Sequence, residues 1–399
     1  MALQITGSAL QDHFREHCPR RGIDLAGAVA LPCPLPHEQS WLDWIAAGRH
    51  AGLEYLTRDP AGRADPTSKY AWARSVLVFA QRYTTGWASA DEIATQDSSL
   101  PDWQRGVSRY ARGVDYHDRL LTDVREVLAP LAKRFAALQI HPAVDTGPFL
   151  EREYAWLAGL GFWGQNCCLI HERLGSGLFL AVVLTNLEIS DLPRPGEPAA
   201  EPLWGIVPRT SVVNSDLPAV ASRCGTCRRC LEACPTAALS APYRLDAGRC
   251  LATWTIEWQG RAPVAERARQ GEQLFGCDIC QAVCPWNRKA WRKRDSVPAG
   301  VAGREVPSPL EAYAPLPAHA DLDLSDLLTM DPEEFRRRFR RTPLWRAHPE
   351  GMRRNAMTVA ANTARVDLVE QLVTASENDP DPEVRQLARW ALARLREDR

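Results

Sequence analysis

The sequence predicts a mixed domain of strands and helices, α/β or α+β, followed by a cysteine-rich module and a helical C-terminal region. Apolar runs at 76–80 and 178–187 are typical of strands, and apolar residues from Leu120 to Leu138 recur at helical spacing. Six prolines between 193 and 218 indicate a long connection after the first domain. We therefore expect four segments, with these bounds: 1–190 for the mixed domain, 191–222 for the connection, 223–295 for the cysteine-rich module and 296–399 for a linker and helices.

Eight cysteines between 224 and 284 have the spacing of ligands for two iron-sulfur clusters. The chain reads C-x2-C-x2-C-x3-C-P from Cys224, and C-x2-C-x3-C-P from Cys277. In the bacterial two-cluster pattern, the cysteine before the proline ligates the cluster of the other run. Leu274 stands where a full second run has its first cysteine, so Cys250 is the nearest thiol left to complete the second set. The predicted ligands are Cys224, Cys227, Cys230 and Cys284 for cluster 1, and Cys234, Cys250, Cys277 and Cys280 for cluster 2.

Two other uses of these cysteines are weighed against the clusters. Zinc also accepts four thiolates at C-x2-C spacing. Three cysteines at successive x2 spacings, with a Cys-Pro in both halves, match the cluster pattern better than a zinc ribbon. Disulfide frameworks belong to short secreted chains, whereas this chain has 399 residues with most of its cysteines in one segment.

The composition is that of a soluble globular protein with two or three domains: 45% hydrophobic residues, 24% charged residues and a net charge of -1. No stretch approaches the roughly 18 consecutive apolar residues of a membrane span. The N-terminus carries charged residues where a signal peptide needs an apolar segment. We expect a cytoplasmic protein with no membrane partner, since thiolate-ligated clusters suit a reducing compartment.

The C-terminal region is predicted to contain short amphipathic helices over 353–363, 366–376 and 382–395. Asp381 is the expected N-cap of the last helix, with Pro382 at its first position. Helix pairs of this kind resemble HEAT repeats, which stack to form concave binding surfaces.

Basic residues are concentrated in two places despite the neutral net charge. Aromatic residues are interleaved with them at Trp286, Trp291, Phe339 and Trp345, so an RNA-binding surface and an ordinary solvated face both remain open. One run follows the last cysteine and the other lies in the helical region: Arg288, Lys289, Arg292, Lys293 and Arg294, then Arg336, Arg337, Arg338, Arg340, Arg341, Arg346, Arg353 and Arg354.

A simple electron carrier would need little beyond the cluster module, so the large first domain indicates an electron acceptor there. No G-x-G-x-x-G follows a strand, which leaves nicotinamide and flavin sites of the Rossmann type without support. The residues alone do not identify the acceptor.

Seven segments in order along most of the chain resemble the epoxyqueuosine reductase family. The pattern CDxCQxVCPWN, the DYH motif and the helical tail together are much more specific than the cysteine run. The segments are RYARGVDYH (109–117), VDTGPFLERE (144–153), AGLGFWGQN (158–166), CGTCRRCLEACPTAAL (224–239), RCLATWTIE (249–257), FGCDICQAVCPWN (275–287) and TPLWR with RRNAM (342–357).

The resemblance implies that the chain reduces epoxyqueuosine to queuosine in a tRNA anticodon, the last step of queuosine biosynthesis. Two [4Fe-4S] clusters would pass electrons to base-off cobalamin in a first domain similar to reductive dehalogenases. The HEAT-like region would hold the anticodon stem-loop, and the protein would act as a monomer with an unidentified low-potential electron donor.

The resemblance also implies roles for single residues. Asp145 would be the proton donor, although without the family the segment Asp145–Pro148 reads as a turn with a side-chain-to-backbone hydrogen bond. Core packing is the alternative for the two leucines among the expected cobalamin contacts. Those contacts are Arg63, Ser108, Asp145, Gln165, Asn166, Leu169, Leu180 and Asp278.

The chain departs from the family pattern just after 164, where Gln165 stands in place of a lysine. Cys167 and Cys168 follow, either as extra metal ligands or as buried thiols that pack like small apolar groups. A cobalamin and iron-sulfur reductase of another substrate, like the reductive dehalogenases, and a two-cluster electron-transfer protein are the alternative functions.

Overall fold

A computed structural model of the chain describes residues 3–84, 100–205, 223–257, 262–292 and 309–397. Its strands are β1 Leu3–Thr6, β2 Leu25–Ala30, β3 Ser75–Arg82, β4 Ile140–Ala143, β5 Phe162–Trp163, β6 Leu169–Ile170, β7 Leu178–Thr185, β8 Leu187–Ser190, β9 Trp204–Gly205, β10 Leu239–Ala241 and β11 Arg244–Leu245.

Helices of the first domain and the cysteine-rich module alternate with these strands. They are α1 Gly7–His17, α2 Glu38–Ala46, α3 Pro60–Ala64, α4 Asp102–Arg105, α5 Tyr116–Arg134, α6 Glu151–Leu157, α7 Arg229–Glu232, α8 Val264–Arg267, α9 Ile279–Ala282 and α10 Pro285–Arg292. The C-terminal region consists of α11 Pro309–Ala312, α12 Leu324–Thr329, α13 Pro332–Phe339, α14 His348–Asn362, α15 Val369–Asn378 and α16 Pro382–Glu397. None of these described helices combines the length and apolar character needed to cross a bilayer.

A five-stranded sheet in the order β4-β7-β3-β2-β9 forms the centre of the first domain. Every pairing in it is antiparallel, so the α+β form of the predicted mixed class describes this sheet. Its longest ladder joins β3 to β7 and places Val78 opposite Val182. The edge strand β9 lies within the predicted connection 191–222, the first part of which is thus attached to the sheet.

The two faces of this sheet bury alternate residues of each strand, as the period of two in a strand requires. Leu77 and Phe79 of β3 pack against α1 and α5, while Val76 and Val78 pack against α6 on the opposite face. These side chains are fully buried on both faces. The domain is therefore a helix-sheet-helix sandwich, and the loops at its strand ends are where side chains can converge on a ligand.

The helix predicted up to Leu138 ends earlier, at Arg134. It begins after Asp115, whose carboxylate accepts the backbone N–H of His117 at 3.0 Å. Phe135 has the extended backbone angles φ -116° and ψ 90°, which stop the helix. Phe135 and Leu138 nevertheless pack against the same core, so their apolar periodicity continued beyond the helix itself.

The C-terminal helices form a third core that also covers parts of the other two regions. The three predicted helices are present with shifted ends as α14, α15 and α16, and Asp381 caps α16 by accepting the N–H of Glu383 at 2.8 Å. Trp103 of the first domain and Phe275 of the cysteine-rich module are buried in this core. The helical region thus packs against both other regions.

Gly27 of β2 gives a test of how tightly the sheet packs against the chain that follows α6. A Cβ at this position would lie 2.5 Å from the carbonyl oxygen of Ala158. We expect Gly27→Ala to lower the free energy of unfolding by about 2 kcal/mol, because overpacking in a filled core forces backbone shifts. Denaturation followed by circular dichroism measures this loss.

Gly351→Ala in α14 is the matched control, since its added Cβ would meet no atom closer than 3.6 Å. Its free energy of unfolding should stay equal or rise by about 0.5 kcal/mol, because alanine is the better helix residue. Equal effects of the two substitutions would contradict the packing described for Gly27.

Candidate active site and cluster module

The first predicted group of four thiols lies together in the structure. Burial raises the pKa of Cys230 to about 11, and the neighbouring thiols Cys224, Cys284 and Cys227 contribute to that rise. Burial also raises the pKa of Cys284, which lies near Cys224 and Cys227. The chain therefore brings the Cys-Pro cysteine of the second run to the three closely spaced cysteines of the first.

The second predicted group also converges, and it includes Cys250. Burial raises the pKa of Cys277 to about 12, and Cys250 and Cys234 are among the charges that raise it. Cys280 is buried as well and lies near both Cys277 and Cys250. The structure thus places Cys250, which lies outside the two runs, where the second group needs a fourth thiol.

A single metal ion and an iron-sulfur cluster place different demands on the cysteines that bind them. No three His, Cys, Asp or Glu side chains in the described parts of the chain converge closely enough to hold one metal ion. Zinc draws its thiolates in to about 2.3 Å, whereas a cluster presents a separate iron atom to each cysteine. A pair of clusters requires two groups of four thiols, and the predicted ligands form two such groups.

The cluster module is fastened to the first domain by backbone hydrogen bonds. The N–H of Ser108 donates to the carbonyl of Phe275 at 2.8 Å, and the N–H of Leu274 donates to the carbonyl of Gly106 at 2.7 Å. Asp278 lies between two cluster cysteines and accepts the N–H of Arg109 at 2.8 Å. We call residues 106–109 and 274–278 together the docking seam. It brings the second group of thiols against the first domain.

Asp145 is the central residue of a three-residue turn, and its backbone conformation there is rare for residues other than glycine. The N–H of Thr146 donates to the carbonyl of Val144 at 2.7 Å, across Asp145, whose φ is +57°. This is the strained form of the γ-turn. The hydrogen-bonded turn therefore covers 144–146 and not the predicted Asp145–Pro148, and the Asp145 carboxylate accepts the side-chain hydroxyl of Tyr116 at 2.6 Å.

Tyr116 is held for this contact by aromatic neighbours. Its ring stacks on Phe179 at 4.1 Å between centroids, and on His117 at 4.0 Å. Burial, followed by the charge of Asp145, raises the pKa of Tyr116 well above its usual range. The phenol therefore keeps its proton and remains a donor to Asp145 at any ordinary pH.

Glu151 is a second carboxyl beside Asp145, and the sequence did not single it out. Its Oε1 accepts the backbone N–H of Asp145 at 2.7 Å. Glu151 is half-buried. This burial, followed by the charge of Asp145, raises the pKa of Glu151 to about 8, against the opposing charges of Arg152 and Arg63. A carboxylate six residues after Asp145, at the start of a helix, was the available signal.

Tyr110 lies between the Asp145 turn and the docking seam. Burial raises its pKa, and the charges of Asp145 and Asp278 both add to the rise. Its ring centroid is 6.0 Å from that of Tyr116 and 6.4 Å from that of Phe275. The Tyr110 ring therefore lies between the side chain that binds Asp145 and the segment that carries the second group of thiols.

Arg63 and Gln165 each have a buried polar atom that could form a hydrogen bond to a bound cobalamin. Arg63 donates to the carbonyl of Tyr55 at 2.7 Å, and Gln165 donates to that of Gly225 at 3.0 Å. The Nε of Arg63 and the Oε1 of Gln165 are buried with no partner among the described residues. The corrin ring carries amide side chains, which can accept from the first atom and donate to the second. The residues present are thus compatible with cobalamin.

The other expected cobalamin contacts have different surroundings. Ser108 is buried at the docking seam, and Asn166 donates to the carbonyl of Cys280 at 3.4 Å. Leu169 is buried in the core beside α6, and Leu180 is half-buried against the same core. The packing alternative therefore describes where both leucines lie. Asp278 already accepts the N–H of Arg109.

Cys167 and Cys168 are enclosed next to the two thiol groups. Burial raises the pKa of Cys168 to about 12, and Cys284 and Cys230 of the first group lie near it. The same thiol is near Cys280 of the second group. The buried-thiol alternative fits these surroundings, and the position between the groups makes Cys168 the competing thiol in any test of cluster ligands.

The predicted basic surface is smaller than the sequence indicated. Arg353 and Arg354 are buried in ion pairs, with Asp379 at 2.9 Å and Asp381 at 3.1 Å. Phe339 is fully buried and offers no face for base stacking. Arg337 and Arg338 pair with Glu334, and Arg346 with Glu257. Lys293 and Arg294 lie outside the described residues, as do the side chains of Lys289, Trp291 and Arg292.

Three arginines of the C-terminal run remain exposed, and no ion pair is found for them within the described residues: Arg336, Arg340 and Arg341. Arg346 is also exposed, but it forms an ion pair with Glu257. Burial lowers the pKa of Arg346, but the charges of Glu257, Tyr55 and Asp145 together raise it above its usual value. The helical region thus has an exposed basic surface and, in Arg346, a cation near enough to Asp145 to be affected by its charge.

Comparisons with known proteins agree with this arrangement. Residues 223–287 match the model for a 4Fe-4S double cluster binding domain, and residues 63–146 match the model named epoxyqueuosine reductase QueG, DUF1730. An epoxyqueuosine reductase from Pseudomonas aeruginosa is 30% identical over 359 residues, which cover 90% of this chain and 87% of that protein.

Solved structures show the same fold over almost the whole chain. The structure of epoxyqueuosine reductase from Bacillus subtilis with its catalytic loop swung out of the active site has a TM-score of 0.76 and 25% identity, over 98% of this chain and 91% of that chain. Epoxyqueuosine reductase with an epoxyqueuosine-modified tRNA stem loop has a TM-score of 0.75 over the same shares, and at 24% identity this likeness shows the fold alone. With its double-cluster module and its extensive likeness to these enzymes, the chain belongs to the epoxyqueuosine reductase family.

Proposed function

We propose that this chain reduces epoxyqueuosine to queuosine in the anticodon of a tRNA, the last step of queuosine biosynthesis. The epoxide takes up two electrons and two protons, loses its oxygen as water and becomes an alkene. Membership of the family supports the reaction, and the tRNA stem loop in one solved structure of this fold supports the substrate. The observation that carries the proposal is the position of Tyr110 between Asp145 and the cluster segment.

The electrons come from two [4Fe-4S] clusters, each ligated by one of the two thiol groups. The crossed assignment rests on the convergence of the thiols and on the double-cluster domain match. Cluster 1 takes Cys224, Cys227, Cys230 and Cys284, and cluster 2 takes Cys234, Cys250, Cys277 and Cys280.

Base-off cobalamin, if bound in the first domain, would supply a strongly reducing cobalt centre for the epoxide. The residues that would hold it are Arg63, Ser108, Asp145, Gln165, Asn166, Leu169, Leu180 and Asp278. Arg63 and Gln165 support this most directly, because each has a buried polar atom with no partner among the described residues. Gln165 would then form a hydrogen bond with a corrin amide, at a position where the family pattern has a lysine.

Asp145 is the proton donor to the departing oxygen. Tyr116 occupies its Oδ2 and so orients the carboxyl group. Since Tyr116 stays protonated, it favours a fixed geometry of Asp145 without competing for the transferred proton.

The segments keep their expected roles in this proposal. Residues 1–190 form a cobalamin-binding domain similar to reductive dehalogenases, 191–222 connect it to the ferredoxin-like module 223–295, and 296–399 form a HEAT-like region that binds the anticodon stem-loop. The exposed arginines of α13 and the segment after it support RNA binding there. The protein acts as a cytoplasmic monomer, with a separate low-potential electron donor.

Asp145→Asn tests the proton donor, because asparagine can still accept the Tyr116 hydroxyl but has no proton of this acidity to give. We expect turnover of epoxyqueuosine in tRNA to fall at least about 100-fold, with iron and cobalamin still bound. Nucleoside mass spectrometry on anaerobically reconstituted enzyme measures the conversion.

Asp191→Asn is the matched control, since Asp191 also has a positive φ, of 65°, but lies at the end of β8. It should turn over like the unchanged protein. Normal turnover by the Asp145→Asn protein would remove Asp145 from the mechanism.

Cys250→Ala tests the ligand that lies outside the two cysteine runs. We expect the anaerobically reconstituted protein to lose about half of its iron, together with the electron paramagnetic resonance signal of one reduced cluster. Cys33→Ala, a thiol of the first domain, and Cys168→Ala, the competing thiol, should both keep full iron content. Full iron in the Cys250→Ala protein, or half in the Cys168→Ala protein, would overturn the assignment of cluster 2.

The triple variant Arg336→Gln, Arg340→Gln, Arg341→Gln tests the RNA surface. We expect weaker tRNA binding and a plot of log affinity against log salt whose slope is smaller by roughly 2 to 3, because each lost phosphate contact releases about one counterion fewer. The exposed cations of α5 provide the control as Arg125→Gln, Lys133→Gln, Arg134→Gln. Equal salt slopes for the two triple variants would place the tRNA elsewhere.

A further inference from the structure

Glu151 has no role in the reaction as proposed above, yet its carboxyl group accepts the backbone N–H of Asp145 at the centre of the turn. We propose that Glu151 is a positioning residue that latches the Asp145 turn in its active position. The proposal rests on the proposed function, because positioning matters only if Asp145 acts on the substrate. The contact is the hydrogen bond from the N–H of Asp145 to the Oε1 of Glu151, 2.7 Å long.

The turn needs a latch because its backbone is strained. A non-glycine residue at φ +57° in a γ-turn costs on the order of 1–3 kcal/mol and persists only where its surroundings hold it. Two hydrogen bonds from outside the turn do so, one to the side chain of Asp145 from Tyr116 and one from its backbone to Glu151. Only the second fixes the backbone, and without it the turn can relax.

A related enzyme shows that this kind of loop has a second position. The Bacillus subtilis structure has its catalytic loop swung out of the active site. A loop that can leave the site needs an interaction that favours the inward position. Glu151 begins α6, which is packed on the central sheet, so its carboxyl is a fixed point from which to hold the turn.

The surroundings of Glu151 leave its carboxyl available for this contact. The charges that act on it are those of Asp145, Arg152 and Arg63. Arg152 donates instead to the carbonyl of Cys167 and lies over the ring of Trp163, at 5.7 Å. Arg63 donates to the carbonyl of Tyr55. Within the described residues, neither guanidinium is found in an ion pair with Glu151.

The electrostatics of the site predict which substitution should preserve the latch. Burial raises the pKa of Glu151 to about 8, so at neutral pH the side chain is largely an uncharged carboxylic acid that accepts through its carbonyl oxygen. Glutamine has the same shape, the same charge and the same carbonyl acceptor. Glu151→Gln should therefore retain the latch, whereas Glu151→Ala removes it.

The experiment compares these two variants in the full-length, cluster-loaded protein by two independent measurements. Hydrogen-deuterium exchange resolved to the amides of 144–147 reports the latch without any need for turnover. In the Glu151→Ala protein we expect the Asp145 amide to exchange about tenfold faster, and kcat to fall about tenfold with the KM for tRNA changed less than about twofold. The Glu151→Gln protein should match the unchanged protein in both.

Glu153→Ala is the matched control on the same helix. Its buried carboxylate accepts the backbone N–H of His37 at 3.1 Å and also contacts the His37 imidazole at 2.9 Å, so the variant loses at least as much on another side of α6. It should leave exchange at Asp145 unaltered. Unaltered exchange in the Glu151→Ala protein, or equal defects in the alanine and glutamine variants, would overturn the latch.

Failure of the proposed function gives a different pattern. Full activity of the Asp145→Asn protein would remove the reason for positioning that residue, while the exchange measurement would still decide whether Glu151 holds the turn. An inactive Asp145→Asn protein combined with unaltered exchange in the Glu151→Ala protein would reject the latch and leave the proposed function standing.

Discussion

The arrangement of the site depends on the docking seam, where 106–109 and 274–278 exchange backbone hydrogen bonds. A Cβ on Gly106 would lie 2.1 Å from the carbonyl oxygen of Glu272. The two backbones therefore approach each other more closely than a residue with a side chain would allow. Gly276 faces Ser108 in the same way, since a Cβ there would lie 2.3 Å from the serine Oγ. Backbone contact at this range fixes the module against the domain with little freedom to rotate.

The surroundings of Asp145 follow from that docking seam. Asp278 is tied to Arg109, and the next residue along, Tyr110, reaches the neighbourhood of Asp145 through Tyr116. The second group of thiols, from 234–280, and Asp145 are thereby brought to one region although they are far apart in sequence. Arg346 adds a cation from the helical region, so all three regions of the chain contribute to the surroundings of Asp145.

Some of this could be predicted from the sequence, because the signals were local. Cysteine spacing identified both thiol groups, including Cys250, and apolar periodicity located the main strands and helices. Leu138 was wrongly included in a helix because it stays apolar for packing after the helix has ended. The resemblance, and not the spacing of residues, drew attention to Asp145.

Long-range contacts account for most of what the sequence did not reveal. Arg353 and Arg354 looked like RNA contacts because nothing in their own segment showed that Asp379 and Asp381 would bury them. The roles proposed for Tyr116 and Glu151 depend on a positive φ at Asp145, which no local sequence pattern predicted. Asp278 carried a sequence signal between two ligands, but its backbone partner at Arg109 became visible only in the fold.

The most direct test of the proposed reaction is a single turnover without free reductant. Enzyme loaded with both clusters and cobalamin is reduced, freed of reductant and mixed anaerobically with excess tRNA carrying epoxyqueuosine. Two clusters store one electron each, which matches the two electrons that epoxide removal needs, so we expect up to about one queuosine per chain by nucleoside mass spectrometry. An intact epoxide beside clusters that remain reduced would contradict the proposed electron path.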